Sequence, residues 1–284
     1  MPTLAENLSL WNQRYTWSEC GDEWSKPFGN SETMWWFLLL PRIHRLLPAP
    51  RILEIAPGMG RWTSYLTALC GESYIGVDLS AKCIDHCRCR FADCAKASFH
   101  TNDGSSLPMV EDGSVDLIFS FDSLVHVEAD VIAPYVREFR RVLRPGGFGF
   151  IHHSNLGDYP WRVAAYRWVQ KVTPRAIWRS EYFDLAVQQV LSLNMGALRA
   201  PTVSAAQFMR MCEREGLAMV GQEMFAWRSG RCQIDCISVF AKPGGNGLAP
   251  SCRIESPFFG RGLRKHWQRT ARMYSESTQT PCRT

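Results

Sequence analysis

Four residues near the start of the second fifth of the chain carry the first chemical information. In "ILEIAPGMGRWT" (52–63) an acidic residue, Glu54, ends an apolar run. Two glycines, Gly58 and Gly60, follow on alternate positions, and Asp78 stands 20 residues beyond Gly58. A glycine-rich turn lets backbone approach a ligand closely, and a carboxylate at that distance suits the two hydroxyls of a ribose. A nucleoside-bearing cofactor is therefore expected, either a dinucleotide or S-adenosylmethionine. Three details favour the second. A dinucleotide fingerprint asks for a third glycine where Thr63 stands. Glu54 would disfavour an anionic pyrophosphate but suits an ammonium and a sulfonium. Asp103 in "NDG" (102–104) is placed to accept from an adenine amino group.

A second set of residues follows two later apolar runs. "SVDLIFSFDSLVHV" carries Phe121, Asp122 and His126, and "FGFIHH" ends in His152 and His153. A histidine titrates near neutrality and can take a proton from a hydroxyl. His126 is the expected base, with Asp122 to orient it or to bind the acceptor. Because side chains alternate along a strand, only one of His152 and His153 can face the cleft. His152 is taken as that one. A divalent ion on Asp122, His126 and His152 is a weaker alternative, and no metal is expected. Cys83, Cys87, Cys89 and Cys94 contain no CxxC pair and read as reduced thiols on a helix.

The elements that must position these residues alternate in type. Arg51–Ile55 is a buried strand and Trp62–Leu69 a helix. "SYIGVDLS" is a strand ending at Asp78, and Ala81–Lys96 a helix. "SFHTNDG" and "SVDLIFSFDSLV" hold two more strands. Val131–Leu143 is a helix closed by "RPGG", and "FGFIHH" a fifth strand. This rhythm predicts a parallel sheet covered on both faces. After a break at 154–200, Ser204 caps a helix that Gly216 stops. "LAMVGQEMFAW" and "CQIDCISVFA" then form an antiparallel pair.

Residues 51–153 resemble the class I S-adenosylmethionine-dependent methyltransferases. "EIAPGMG" is similar to their glycine motif, with Ala56 where the family has its first glycine. "GVDLS" resembles the ribose motif, "NDGSSLP" the adenine motif, and "VDLIFSFDSLVHV" and "RVLRPGGFGFIHH" the motifs of strands four and five. The resemblance implies an α/β fold, a Rossmann-like seven-stranded, mostly parallel sheet with helices on both faces and a final antiparallel strand pair. It implies S-adenosyl-L-methionine as cofactor, held by Glu54, Ala56, Gly58, Gly60, Asp78, Leu79, Asp103, Gly104 and Phe121. The catalytic set is His126, Asp122 and His152. The nucleic-acid amino-methylating members carry Asn/Asp-Pro-Pro-aromatic after strand four. "FSFDSLV" departs from that, so oxygen is the expected acceptor atom. The wider pattern resembles bacterial methyltransferases associated with surface-polysaccharide synthesis. The first expectation is thus a sugar or glycan hydroxyl on a small molecule. The alternatives are a lipid or quinone-like hydroxyl, a protein or peptide, and a non-catalytic cofactor-binding subunit.

Composition sets the remaining bounds. The net charge is +5, and the stretch from Pro243 onward holds seven Arg and Lys against two Glu. The body is therefore balanced and carries no basic field for nucleic acid. No apolar run is long enough to span a bilayer, and no secretion signal is read, so a cytoplasmic place is expected. Residues 1–50 are expected to cap the active site and 51–242 to form the methyltransferase domain. Within that domain, 154–200 is expected to be an aromatic, basic lid over the acceptor. Residues 243–284 are expected to form a disordered basic tail. The tail pattern at Phe259, Leu263 and Trp267 admits a weak membrane-surface contact beside the reading of a solvated tail. Oligomeric state is not legible.

Overall fold

The computed structural model describes residues 3–178, 180–191, 199–227, 232–244, 251–256 and 259. The helices, in chain order, are α1 (Leu4–Ser9), α2 (Ser31–Met34), α3 (Leu40–Ile43), α4 (Thr63–Ala68), α5 (Ala81–Arg90), α6 (Ala129–Val142), α7 (Pro160–Val172), α8 (Arg175–Trp178), α9 (Glu181–Val190) and α10 (Ala205–Arg214). The strands are β1 (Ala49–Ile55), β2 (Cys70–Asp78), β3 (Ala97–Thr101), β4 (Val115–Ser120), β5 (Leu143–Ser154), β6 (Ala218–Phe225), β7 (Asp235–Ala241) and β8 (Cys252–Ser256).

All eight strands join one sheet in the order β3-β2-β1-β4-β5-β7-β6-β8. β1 to β5 run parallel. β7 inserts antiparallel between β5 and β6. The sheet therefore has one strand more than the expected seven. β8 pairs parallel with β6 at the edge, and it comes from the stretch expected to be a tail without structure. Its side chains are mostly exposed. Edge pairing by backbone hydrogen bonds needs no apolar pattern, which is why the sequence gives no sign of it.

Strand alternation sorts side chains into two layers. Ile52, Leu117, Phe119, Phe121 and Phe150 face a core that also holds Trp62, Leu66 and Tyr74. Leu53, Ile55, Ile118 and Ile151 face the other, with Val136, Phe139 and Phe208. The segment 31–43 closes the first layer. Its Met34, Trp35, Leu38, Leu39 and Ile43 are fully or almost fully buried, and Trp35 stacks on Tyr65 at 4.8 Å. Ser204 caps α10 by accepting from the Gln207 N–H, as its sequence position predicts. α5 ends at Arg90 rather than at Lys96. The Phe91 N–H bonds back to Cys87, and its ring fills the space left open by Gly60.

Candidate active site

The carboxyl ends of β1, β2 and β4 open into a cavity of about 660 Å³, within the range of small-molecule and cofactor sites. One end is built by the sheet. Ala56, Gly58, Asp78, Leu79 and Gly104 line it. Asp78, the last residue of β2, is buried and accepts from the N–H of Gly58 at 3.1 Å and of Ser80 at 2.8 Å. Burial pushes its carboxyl up to about 6, against these backbone bonds. Its oxygens hold the glycine turn in register, and Cys87 Sγ donates to the Gly58 carbonyl at 3.3 Å. Ala56 sits at φ 56°, in the left-handed region, where a side chain costs about 1–2 kcal/mol.

Three residues of the expected cofactor set are placed otherwise. Glu54 does not line the cavity. It lies one residue before the strand end, so its side chain projects from the sheet face into the layer under α4. There it accepts from Thr63 Oγ1 at 2.8 Å and from the Tyr74 hydroxyl. Burial raises its carboxyl to about 7, against those two bonds. Thr63, which takes the third-glycine position, thus serves Glu54. Gly60, at φ 81°, is also outside the lining. A Cβ there would meet the Phe91 ring at 2.6 Å, so it permits close packing of α5. Asp103 is exposed and accepts from the N–H groups of Ser105 at 2.8 Å and Ser106 at 2.7 Å. These bonds hold its carboxyl below the usual range. An Asp with serines two and three residues on closes its own turn, and only the adjacent Gly104 reaches the cavity.

The other end is aromatic. Trp11, Trp17, Trp24 and Phe28 come from the N-terminal segment, Trp227 from two residues past the end of β6, and Phe121 from directly after β4. Trp11 contacts Trp17 at 5.8 Å and Trp24 at 6.0 Å between ring centres. His126 is buried, lines the cavity, and lies 5.3 Å from the Trp11 ring. Asn7 donates to its backbone carbonyl at 3.0 Å, so α1 and the turn after β4 hold each other. Residues 154–200, expected as the lid, contribute one described side chain, Arg199, to the lining. Tyr166 packs instead against Leu156, Cys232 and Ile234.

Behind Asp122 runs a buried charged chain. Asp122 has φ 68° and its carboxylate pairs with Arg61 at 2.9 Å. Burial would raise its carboxyl, but Arg61 first and then His152 hold it below the usual range. Its N–H donates to His152 Nδ1 at 3.0 Å, which leaves the ring proton on Nε2. That nitrogen is 3.6 Å from Asp235, too long for a hydrogen bond. Arg199 holds Asp235 with two bonds of 2.6 and 2.9 Å. Burial opposes ionisation of Asp235, yet Arg199 keeps its carboxyl at about 2. His152 is fully buried between Phe121 and Phe225 and does not line the cavity, so it cannot touch a ligand as expected. His153 faces the opposite layer. It stacks on Phe208 at 4.2 Å and bonds Ser238 at 2.8 Å, and burial lowers it to about 4.

Sequence reading missed Arg61, Arg199, Trp227 and the tryptophans of the N-terminal segment. Arg61 had a local signal, a cation directly after the glycine turn. Arg199 and Trp227 had none. Among the described residues no group of three or more His, Cys, Asp and Glu is set to hold a metal ion. Asp122 is taken by Arg61, and Cys83 and Cys87 are buried while Cys89 is exposed. No described helix is long and apolar enough to cross a membrane.

The methyltransferase domain family matches residues 52–147, the span that contains the glycine turn, Asp78 and His126. A phthiotriol/phenolphthiotriol dimycocerosates methyltransferase of Mycobacterium leprae is 29% identical over 193 residues, 65% of this chain and 66% of that protein. The chloroplastic tocopherol O-methyltransferase of Arabidopsis thaliana is 33% identical over 100 residues, 34% of this chain and 28% of that protein. The matches thus span less than two thirds of either relative. Among solved structures, the PH0226 protein of Pyrococcus horikoshii shares the fold. Its TM-score is 0.51 at 18% identity, covering 82% of this chain and 95% of that one. The glycine turn, the buried carboxylate that ends β2 and the family match converge on one conclusion, that residues 52–147 are a methyltransferase domain of the class I, S-adenosylmethionine-dependent type.

Proposed function

We propose that this chain transfers a methyl group to a hydroxyl of an apolar, ring-bearing small molecule such as a lipid or phenolic alcohol. The observation that carries this reading is that Asp78, His126 and the tryptophan wall line one cavity. The residues at the sheet end fit S-adenosylmethionine. Asp78 is a buried acceptor facing the cavity, suited to two ribose hydroxyls. Gly58 leaves room for backbone approach, Leu79 and Gly104 offer an apolar bed for adenine, and Phe121 closes the floor. When bound, the cofactor supplies an electrophilic methyl group on its sulfonium.

The remaining work falls to this chain's own side chains. The Trp and Phe wall orients the acceptor and excludes water. His126 accepts the hydroxyl proton as the oxygen forms its bond to carbon. Asp122, kept ionised by Arg61, supplies negative charge at the same rim and favours the imidazolium that results. His152 acts through Asp122 as a positioning residue, since it receives that residue's backbone N–H.

The lipid or phenolic acceptor takes precedence over the glycan expected from sequence. A glycan site needs several free carboxylates and amides for its hydroxyls. Here the wall is indole and phenyl, and the carboxylate at its edge is paired with Arg61. The names of the two curated relatives, for phthiotriol-type dimycocerosates and for tocopherol, favour the same class. The test is release of S-adenosylhomocysteine by the purified chain offered hydroquinone, chromanol, long-chain alcohol or glycan fractions. Release with a glycan and with no apolar alcohol would reverse the acceptor order. Cofactor binding without release on any fraction would favour the non-catalytic subunit.

A further inference from the structure

The insertion between β5 and α10 leaves an apolar surface unused by the site. α7 turns Val163 and Tyr166 inward, onto Leu156, Cys232 and Ile234. Its opposite side carries Trp161, Trp168 and Val172, each more than half exposed. Positions 161, 165, 168 and 172 recur at helical spacing and form one stripe. α9 packs beside it, with the Tyr166 hydroxyl on Asp184 at 2.6 Å. α9 in turn leaves Tyr182, Leu185 and Val190 more than half exposed. Isolated exposed apolar residues are ordinary, but six on two packed helices, two of them tryptophan, are not.

Charge selects the occupant. α7 contains Arg162, Arg167 and Lys171 and no carboxylate; α9 adds Glu181 and Asp184, of which Asp184 is turned to Tyr166 and Gln188. Arg162 lies over the Trp161 ring at 4.5 Å, while Arg167 and Lys171 are exposed on the flank of the stripe. Indole rings beside cations match the interface of an anionic bilayer, where the ring sits at headgroup depth and the cation meets phosphate. A second copy meeting it α7 against α7 would bring these cations against their own kind. The chain's own C-terminal residues are basic as well, with Arg261, Arg264, Lys265, Arg269 and Arg272, and are disfavoured for the same reason.

We infer that α7 and α9 form a docking face for an anionic lipid surface. This places the membrane contact on the insertion rather than on the C-terminal stretch, whose residues beyond Phe259 lie outside the described part. Docking needs no catalysis, so the inference stands or falls separately from the proposed reaction.

The experiment is co-sedimentation of the full chain with vesicles of phosphatidylglycerol and phosphatidylcholine, and with phosphatidylcholine alone. The expected result is partition onto the anionic vesicles that falls as salt rises. The variant Trp161→Ser/Trp168→Ser should lower partition at least tenfold. Arg167→Gln/Lys171→Gln, which removes no packing, should lower it severalfold on anionic vesicles. Arg264→Gln/Lys265→Gln/Arg269→Gln should stay within twofold of the parent. Cofactor affinity, measured in parallel, reports that each variant is folded, and the charge variant decides the matter if the tryptophan variant is not. The inference is overturned if the parent stays in the supernatant at low salt. It is equally overturned if the C-terminal variant alone loses binding, or if light scattering finds a dimer that Arg167→Gln/Lys171→Gln leaves intact and Trp161→Ser/Trp168→Ser abolishes.

Discussion

The two ends of the cavity are built on different plans. The cofactor end is made of backbone and short side chains at strand termini, tied by the 3.1 and 2.8 Å bonds that Asp78 accepts. The end proposed for the acceptor is made of large rings drawn from the first 28 residues and from Trp227, joined to the sheet by contacts such as Asn7 to the His126 carbonyl. A ribose and an adenine present the same hydroxyls and edges in every reaction, so a rigid hydrogen-bonded cradle serves them. An acceptor varies, and a ring-walled pocket on a separate segment can vary without disturbing the sheet.

If the two ends are as separate as this, substitutions should split cleanly between turnover and cofactor affinity. The largest effect is expected at His126. His126→Ala should lower turnover about 10²–10⁴-fold and leave cofactor affinity, read by calorimetric titration, close to the parent's. Loss of both together would join the two ends. Asp78→Asn should act in the opposite sense. It loses charge-assisted bonds worth about 1.5–3 kcal/mol each, a tenfold or larger weakening of cofactor binding.

The same residue gives the pH dependence. Asp78 has its carboxyl raised to about 6 by burial, and the proposed ribose contact needs it ionised. Cofactor affinity should therefore strengthen as pH rises through about 6 and level above it. Titrations from pH 5 to 8 should show that slope in the parent and not in Asp78→Asn. The sign for folding is reversed. A raised carboxyl stabilises the fold at pH below its ordinary value of 3.8, and that contribution is lost as pH rises through about 6.

Smaller effects sharpen the contrast. Trp24→Ala should raise the acceptor KM about threefold to tenfold, because an aromatic contact contributes about 0.5–1.5 kcal/mol beyond its area. It should leave cofactor affinity unchanged. Ala56→Gly relieves a left-handed backbone at φ 56°. It should stabilise the fold by about 0.5–1 kcal/mol, seen as a rise of a few degrees in thermal midpoint. A fall instead would mean that the Ala56 methyl packs better than its backbone is strained.

Legibility followed the same division. The order glycine turn, Asp78, "NDG", His126 could be read because each motif is local and ends a strand of a parallel sheet. Glu54 was misread because its type was visible and its direction was not. One step along β1 turns a side chain from the cavity to the α4 layer, where Thr63 and Tyr74 receive it. Asp103 was read by its type, and the sequence did not show that its carboxylate accepts from the Ser105 and Ser106 N–H groups. The aromatic insertion was assigned to the acceptor on composition alone, yet its tryptophans on α7 face outward.

By itself the sequence determined the parallel α/β sheet, the antiparallel return of β7 and the glycine turn after β1. Periodicity and loop chemistry act over a few residues, and those are what a chain displays directly. Tertiary structure decided which tryptophans wall the cavity, that Arg61 claims Asp122, that Arg199 claims Asp235, and that β8 extends the sheet. The two ion pairs and the β6–β8 pairing join residues 31 to 61 positions apart. A contact across such a distance is set by which layer each side chain enters after the sheet has formed, and no local pattern records it.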